Sequence, residues 1–215
     1  MDPVRRARAA RPRRGTASAT RERLIAAAAD VFNRDGYHGT DSNRLARAAG
    51  YAPATFYKHF ADKRAIFLAV YDRWVTSEWA TVDTILRSDA SPAVRAERLV
   101  DMVVALHRRW RGLRASLRAL VATDTTVRAA YRAQRRRQLG LMARLRGTQE
   151  NAARAEDDAV LLYTLERVAD ALADGELQDL GLAVGPTAAR LRAIVQRHVE
   201  QWPERADPHP RRLAD

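Results

Sequence analysis

At 215 residues the chain is long enough for one or two domains with a proper core, and its 47% hydrophobic content excludes wholesale disorder. A formal net charge of +12 draws polyanions, so nucleic acid or an anionic membrane surface leads the partner classes, although a GC-rich genome that favours Arg and Ala would give the same totals. No cysteine is present, which excludes a disulfide framework and any thiolate zinc site.

The chain opens on an arm, residues 1–19, in which Arg5, Arg6, Arg8, Arg11, Arg13 and Arg14 face only Asp2. With Pro3 and Pro12 and almost no large apolar side chain, it is expected to be disordered alone. It either reaches into a minor groove or is an unstructured tail. No apolar stretch with a cleavage site follows it, so a secretory signal is not expected.

From Thr20 onward the period is helical everywhere, with no strand-like alternation and no internal repeat. Thr20 can cap a first helix whose apolar face is Leu24, Ala27, Ala28, Val31 and Phe32, ending at Gly36. A second helix is predicted from Thr40 or Asp41 to Gly50, and a third from Pro53 to Phe60. Asp62 then caps a long fourth helix with the stripe Ile66, Phe67, Val70 and Trp74. Its apolar run, Ala65 to Tyr71, is the longest in the chain and far short of a membrane span, so a soluble, cytoplasmic protein with no membrane partner is expected. Further helices are predicted over Ser91–Arg111, Leu113–Thr123, Thr125–Arg146, Ala155–Asp174 and Pro186–Trp202, with breaks at Gly112, Thr123–Asp124, Gly147, Gly175–Gly185 and Pro203. The expected fold is all-α, about nine helices, with a loose tail at 203–215.

The informative segment is GYHGTDSNRLARAAGYAPATFYKHFADK, residues 36–63. Gly50 can take the left-handed conformation that closes one short helix before the next. Leu45, Ala46 and Ala49 give the first an inner face, and Phe56 and Phe60, four residues apart, can pack against it. Pro53 suits a first helical turn, where its missing N–H costs nothing. The opposite face then carries Ala52, Pro53, Ala54, Thr55, Tyr57 and Lys58 outward. That is a helix-turn-helix, whose second helix offers its N-terminal end to base edges. Tyr57, Lys58, His59 and Lys63 are donors suited to phosphate oxygens. Tyr57 and His59 could also be packing residues, and the two lysines plain solvated cations.

Thr20–Tyr71, about a quarter of the chain, resembles the DNA-binding domain of the tetracycline-repressor (TetR) family. The resemblance runs through RERLIAAAADVFNRDGY, T-x-x-x-x-LA-x-AAG and ATFYKHF-x-DK without a gap. It implies a three-helix domain at 20–66 and a helical effector-binding and dimerisation domain at 67–202. By this resemblance Asn43, Pro53, Ala54, Thr55 and Lys58 approach the bases, and Thr40, Tyr57, His59 and Lys63 hold phosphates. Asn43 stands where many members carry Arg, which changes the favoured base from guanine to adenine. Ala52 stands where a capping Ser is common.

In the larger region, Met102, His107, Trp110, Tyr131, Met142 and Tyr163 are core-type residues that could line a mostly apolar ligand cavity. Arg132, Arg135, Arg136, Arg137, Arg144 and Arg146 form a second basic cluster, read as a solvated helix face in preference to a site for an acidic effector. Two stripes, Leu161–Leu165–Val168–Leu172 and Leu191–Ile194–Val195–His198–Trp202, could be core. The resemblance implies that they form a four-helix interface between two subunits.

The expected function is a ligand-responsive regulator, a repressor, binding a two-fold DNA operator as a homodimer and released by an unknown small-molecule effector. A protein that binds DNA by charge alone is the alternative. An enzyme is the least favoured reading. The chain has no Gly-rich phosphate loop, no H-E-x-x-H and no cysteine nucleophile, and its five histidines show no metal-ligand spacing, so no cofactor is expected.

Overall fold

The computed structural model describes residues 16–146 and 152–201, and the regular structure among them is entirely helical. Helix α1 spans Ala17–Asp35 and starts a turn before the sequence expectation. Thr16, not Thr20, is its cap: the Thr16 hydroxyl accepts the Ala19 N–H at 3.2 Å, and Thr20 is buried within the helix. Ala17 and Ala19 are strong helix formers that let the helix run back to the earlier hydroxyl. The arginines of the basic arm lie outside the described residues.

Helix α2, Ser42–Ala48, is capped by Asp41, whose carboxylate accepts the Arg44 N–H at 2.8 Å. Gly50 follows at φ 79°, the left-handed conformation the turn requires. Helix α3, Pro53–Tyr57, has no side-chain cap at Ala52 and is shorter than expected. The Phe56 carbonyl accepts both the His59 and Phe60 N–H groups at 2.9 Å, so Lys58 and His59 lie in a closing turn. Helix α4, Lys63–Leu86, is capped by Asp62 through the Ala65 N–H at 2.7 Å. Then come α5 Pro92–Arg109, α6 Arg111–Thr123, α7 Thr125–Arg146, α8 Ala152–Asp174, α9 Glu176–Asp179 and α10 Val184–Glu200. The helix beyond the expected nine is α9, a single turn inside the predicted Gly175–Gly185 break. The break expected at Gly112 falls two residues earlier, at Trp110 between α5 and α6, and Gly112 itself sits in the first turn of α6.

Two compact units divide the chain otherwise than at residue 66: one comprises residues up to Ala80 with His107–Arg135, the other Thr81–Leu106 with the residues from Arg136 onward. The first unit is built around Leu24, Phe32, Leu45, Phe56, Phe67, Leu113, Leu117 and Val127. Helix α6 belongs to it because Asn33 of α1 grips the α5–α6 junction. The Asn33 side chain donates to the Arg109 carbonyl at 2.8 Å and accepts from the Gly112 and Leu113 N–H groups at 3.1 and 3.2 Å.

The second unit buries Leu161, Leu165 and Leu172 of α8 and Leu191, Val195 and Val199 of α10. This corrects the assignment of those stripes to a subunit interface. Leu161, Leu165, Leu172, Leu191 and Val195 face their own unit's core, Val168 packs beside Leu172, and His198 bonds to Asp158 at 2.8 Å. Ile194 alone of the described members is exposed, at 40%, and Trp202 lies outside the described residues. An i, i+4 apolar stripe serves intrachain and interchain packing equally, so the sequence period does not separate them. The basic cluster also divides: Arg132, Arg136, Arg137 and Arg144 are exposed, whereas Arg135 and Arg146 are buried. Arg135, Gln138, Met142 and Arg146 recur at three- and four-residue spacing on the inward face of α7.

Candidate nucleic-acid interface

The outward face of the helix-turn-helix is set by what its inner face must bury. Leu45, Ala46 and Phe56 are fully buried, and the Phe56 and Phe60 rings lie 5.8 Å apart. With α3 anchored by these rings, Tyr57 stands 56% exposed beside an exposed Lys58. Ala54 is exposed; Pro53, Thr55 and His59 are half-buried at the edge of the same face. Asn43 is exposed on α2, joined by two arginines that the sequence reading did not single out, Arg44 and Arg47. Arg47 follows Asn43 by four residues, a spacing that marks one helix face. Arg44 is aimed by its partners: the Asp35 carboxylate at 2.7 Å and the Gly39 carbonyl at 2.9 Å. Asp35 also holds Arg34 at 2.9 Å, and the hydrogen bond from Arg34 keeps its carboxyl below the usual range.

Lys63 sits deeper than a surface lysine. Its ammonium donates to the Tyr37 carbonyl at 2.9 Å and the Thr40 carbonyl at 2.8 Å, and lies 4.2 Å from the centre of the Tyr37 ring. Burial pulls its pKa down, and the Asp41 carboxylate opposes that. An ammonium has three donors, so one is left for a phosphate oxygen. Thr40 differs from expectation. It is buried, and its hydroxyl oxygen is shielded from solvent without a hydrogen-bond partner, so in this conformation it offers DNA no side-chain contact. The turn that presents the Thr40 carbonyl to Lys63 rotates the side chain inward.

The suggested cavity residues are divided between the two units. His107 is buried and Trp110 and Tyr131 half-buried in the first unit, whereas Met102 and Met142 belong to the second, and Tyr163 is 51% exposed there. Among the described residues no helix is long and apolar enough to cross a membrane.

Residues 24–70, which contain this whole interface, match the family model described as bacterial regulatory proteins, tetR family. The HTH-type transcriptional regulator RutR of Escherichia coli (strain K12) is 26% identical over 91 residues, 42% of each chain. The HTH-type transcriptional activator FasR of Mycolicibacterium smegmatis is 33% identical over 81 residues, 38% of this chain and 37% of that one. The chain thus spans less than half the length of the curated relatives it matches. Among solved structures, a protein from Saccharomonospora viridis described as a transcriptional regulator, in complex with choline, superposes with a TM-score of 0.66 at 21% identity, covering 83% of this chain and 96% of that one. At that identity the likeness is one of fold, and it extends the agreement from the N-terminal domain to most of the helical chain. Residues 24–70 thus match the tetR family model of bacterial regulatory proteins, and most of the chain shares the helical fold of solved transcriptional regulators.

Proposed function

We propose that the protein is a ligand-responsive transcriptional repressor of the cytoplasm that binds a two-fold operator as a homodimer and leaves it when a small-molecule effector binds. The carrying observation is the exposed row of Ala54, Tyr57 and Lys58, with Asn43 beside it, held over the buried Phe56–Phe60 anchor. Such a helix offers its N-terminal residues to base edges, and the flanking donors set register on phosphates. Pro53, Ala54, Thr55, Lys58 and Asn43 read bases; Tyr57, His59 and Lys63 position the backbone. A dimer would set two recognition helices about 34 Å apart, one turn of duplex. Exposed Val160 and Tyr163 on α8 and Ile194 on α10 support a subunit interface on the outer sides of these helices, in place of the buried stripes. An effector is supported by the choline held by the Saccharomonospora viridis neighbour. It acts by binding one conformation better than the other.

Gel shifts on the DNA upstream of the protein's own coding region, against a scrambled duplex, test the reading. Specific retention at physiological salt is expected, with Lys58→Ala altering base preference; equal retention of both duplexes leaves only charge-driven binding. Because the relative FasR is named an activator, a reporter assay on the bound promoter fixes the direction of regulation.

A further inference from the structure

Asp35 is the last residue of α1, where a carboxylate meets the negative end of the helix dipole. Two arginines offset its charge. Arg34 holds both carboxylate oxygens, at 3.0 and 2.9 Å, and Arg44 of α2 reaches the second of them at 2.7 Å. Arg44 is fixed at two further points. Its guanidinium donates to the Gly39 carbonyl at 2.9 Å, and its backbone N–H donates to the Asp41 carboxylate at 2.8 Å. The Arg44 side chain is nevertheless 45% exposed.

A long, half-exposed arginine loses rotamer freedom when it is held, and a surface ion pair returns little stability for that loss. Holding it has another use: a guanidinium fixed beforehand loses no further entropy when a ligand arrives. Of its five N–H groups, the bonds to Asp35 and Gly39 engage two and leave three. Their planar fork matches the oxygens of a phosphate. The position points to DNA. Arg44 follows the exposed Asn43 in the first turn of α2, and the Gly39 carbonyl it grips lies between the Tyr37 and Thr40 carbonyls that Lys63 grips. Both cations are thus seated on one short loop, residues 37–40.

We propose that Arg44 contacts a backbone phosphate of the DNA, and that Asp35 is the positioning residue that holds its guanidinium ready. The proposal rests on the DNA-binding reading above and extends it to an acid, a side chain that a polyanion repels. By charge alone, removing Asp35 would tighten DNA binding. Positioning requires the opposite sign.

The test is fluorescence-anisotropy titration of the full chain over a range of salt with two duplexes, the DNA upstream of its own coding region and a scrambled control. Arg44→Ala should weaken both duplexes alike, about fivefold or more, and lower the salt slope by about one. Asp35→Ala should also weaken both, by about threefold or more, with the melting temperature nearly unchanged because surface ion pairs contribute little. Asp35→Asn removes the same charge but keeps an acceptor oxygen for Arg44, so it should bind more tightly than Asp35→Ala. Added to the Arg44→Ala protein, Asp35→Ala should cause no further loss, as expected of two groups that act as one. Asp35→Ala binding as tightly as wild type, or more tightly, overturns the positioning role. So does an equal loss in the Arg44→Ala background. An unchanged salt slope in Arg44→Ala overturns the phosphate contact. A wild-type protein that prefers neither duplex sinks the specific-regulator reading alone, because the slope and the coupling decide this proposal on either DNA.

Discussion

Two of the three ammonium donors of Lys63 bind the carbonyls of Tyr37 and Thr40, so this side chain closes the loop between α1 and α2 in addition to its proposed phosphate contact. Lys63→Met keeps the stem but leaves both carbonyls without their donor, a loss of about 1–3 kcal/mol by urea unfolding. Its operator affinity should fall alike on every sequence, with the salt slope reduced by about one. Tyr57→Phe should lower affinity without moving stability, since the ring is exposed. A Tyr57→Phe protein as unstable as Lys63→Met would contradict this division of labour. The motif placed Lys63 at the start of α4, but not its carbonyl partners, because those depend on how residues 36–41 turn; the inward Thr40 hydroxyl was hidden for the same reason. The acidic caps give a pH prediction. Asp41 is held below its ordinary pKa of 3.8 first by the Arg44 N–H, and Asp124 first by the Val127 N–H, burial opposing in both. A depressed folded-state pKa means stability that is present above the unfolded value and lost as pH falls through the folded one. The urea midpoint should therefore hold near neutrality and drop below about pH 4. Asp41→Asn keeps a good cap acceptor that does not titrate, so its midpoint should fall less steeply; a slope equal to wild type refutes the assignment.

Among the elements, α6 shows how far a single letter can mislead. Gly112 read as a helix break, yet it lies in the first turn of α6, where α1 passes so close that a Cβ would enter the Asn33 carbonyl oxygen. A glycine kept for close approach and one kept to end a helix look the same in sequence. Gly112→Ala should destabilise by about 1–3 kcal/mol through that overlap. Gly140 lies within α7 with nothing within 4 Å of an added Cβ, so Gly140→Ala should be neutral or stabilising by up to about 1 kcal/mol. Paired thermal melts decide between them, and a Gly112→Ala protein as stable as Gly140→Ala removes the close-contact explanation. Asn33 carried no signal at all. Its value comes from meeting the α5–α6 junction across more than seventy residues of chain, a proximity that only tertiary packing creates. Helix existence and the anchored Phe56–Phe60 pair were legible because local period and turn chemistry specify them.

At the scale of the whole molecule, the proposed dimer raises the question of which surface would join two copies. The amphipathic stripes of α8 and α10 could be read as core or as interface, and burial assigns Leu161, Leu165, Leu191 and Val195 to the core. What remains outward on the same helices is Val160, 67% exposed, with Tyr163 and Ile194. Large apolar side chains left exposed on these two helices favour a self-complementary contact, which the proposed two-fold operator would also demand. Replacing Val160 and Ile194 together by Lys places two like charges on these helices of each copy, and four meet when copies pair. Both positions are exposed, so the fold should survive, whereas Leu165→Lys would bury an unpaired charge and unfold the unit. Sedimentation equilibrium should show wild type as a dimer and the double variant as a folded monomer with native circular dichroism. Its operator binding should weaken because two half-sites are no longer engaged together. A double variant that still sediments as a dimer moves the interface elsewhere. One that is monomeric yet binds the operator as tightly as wild type removes the need for a dimer on DNA.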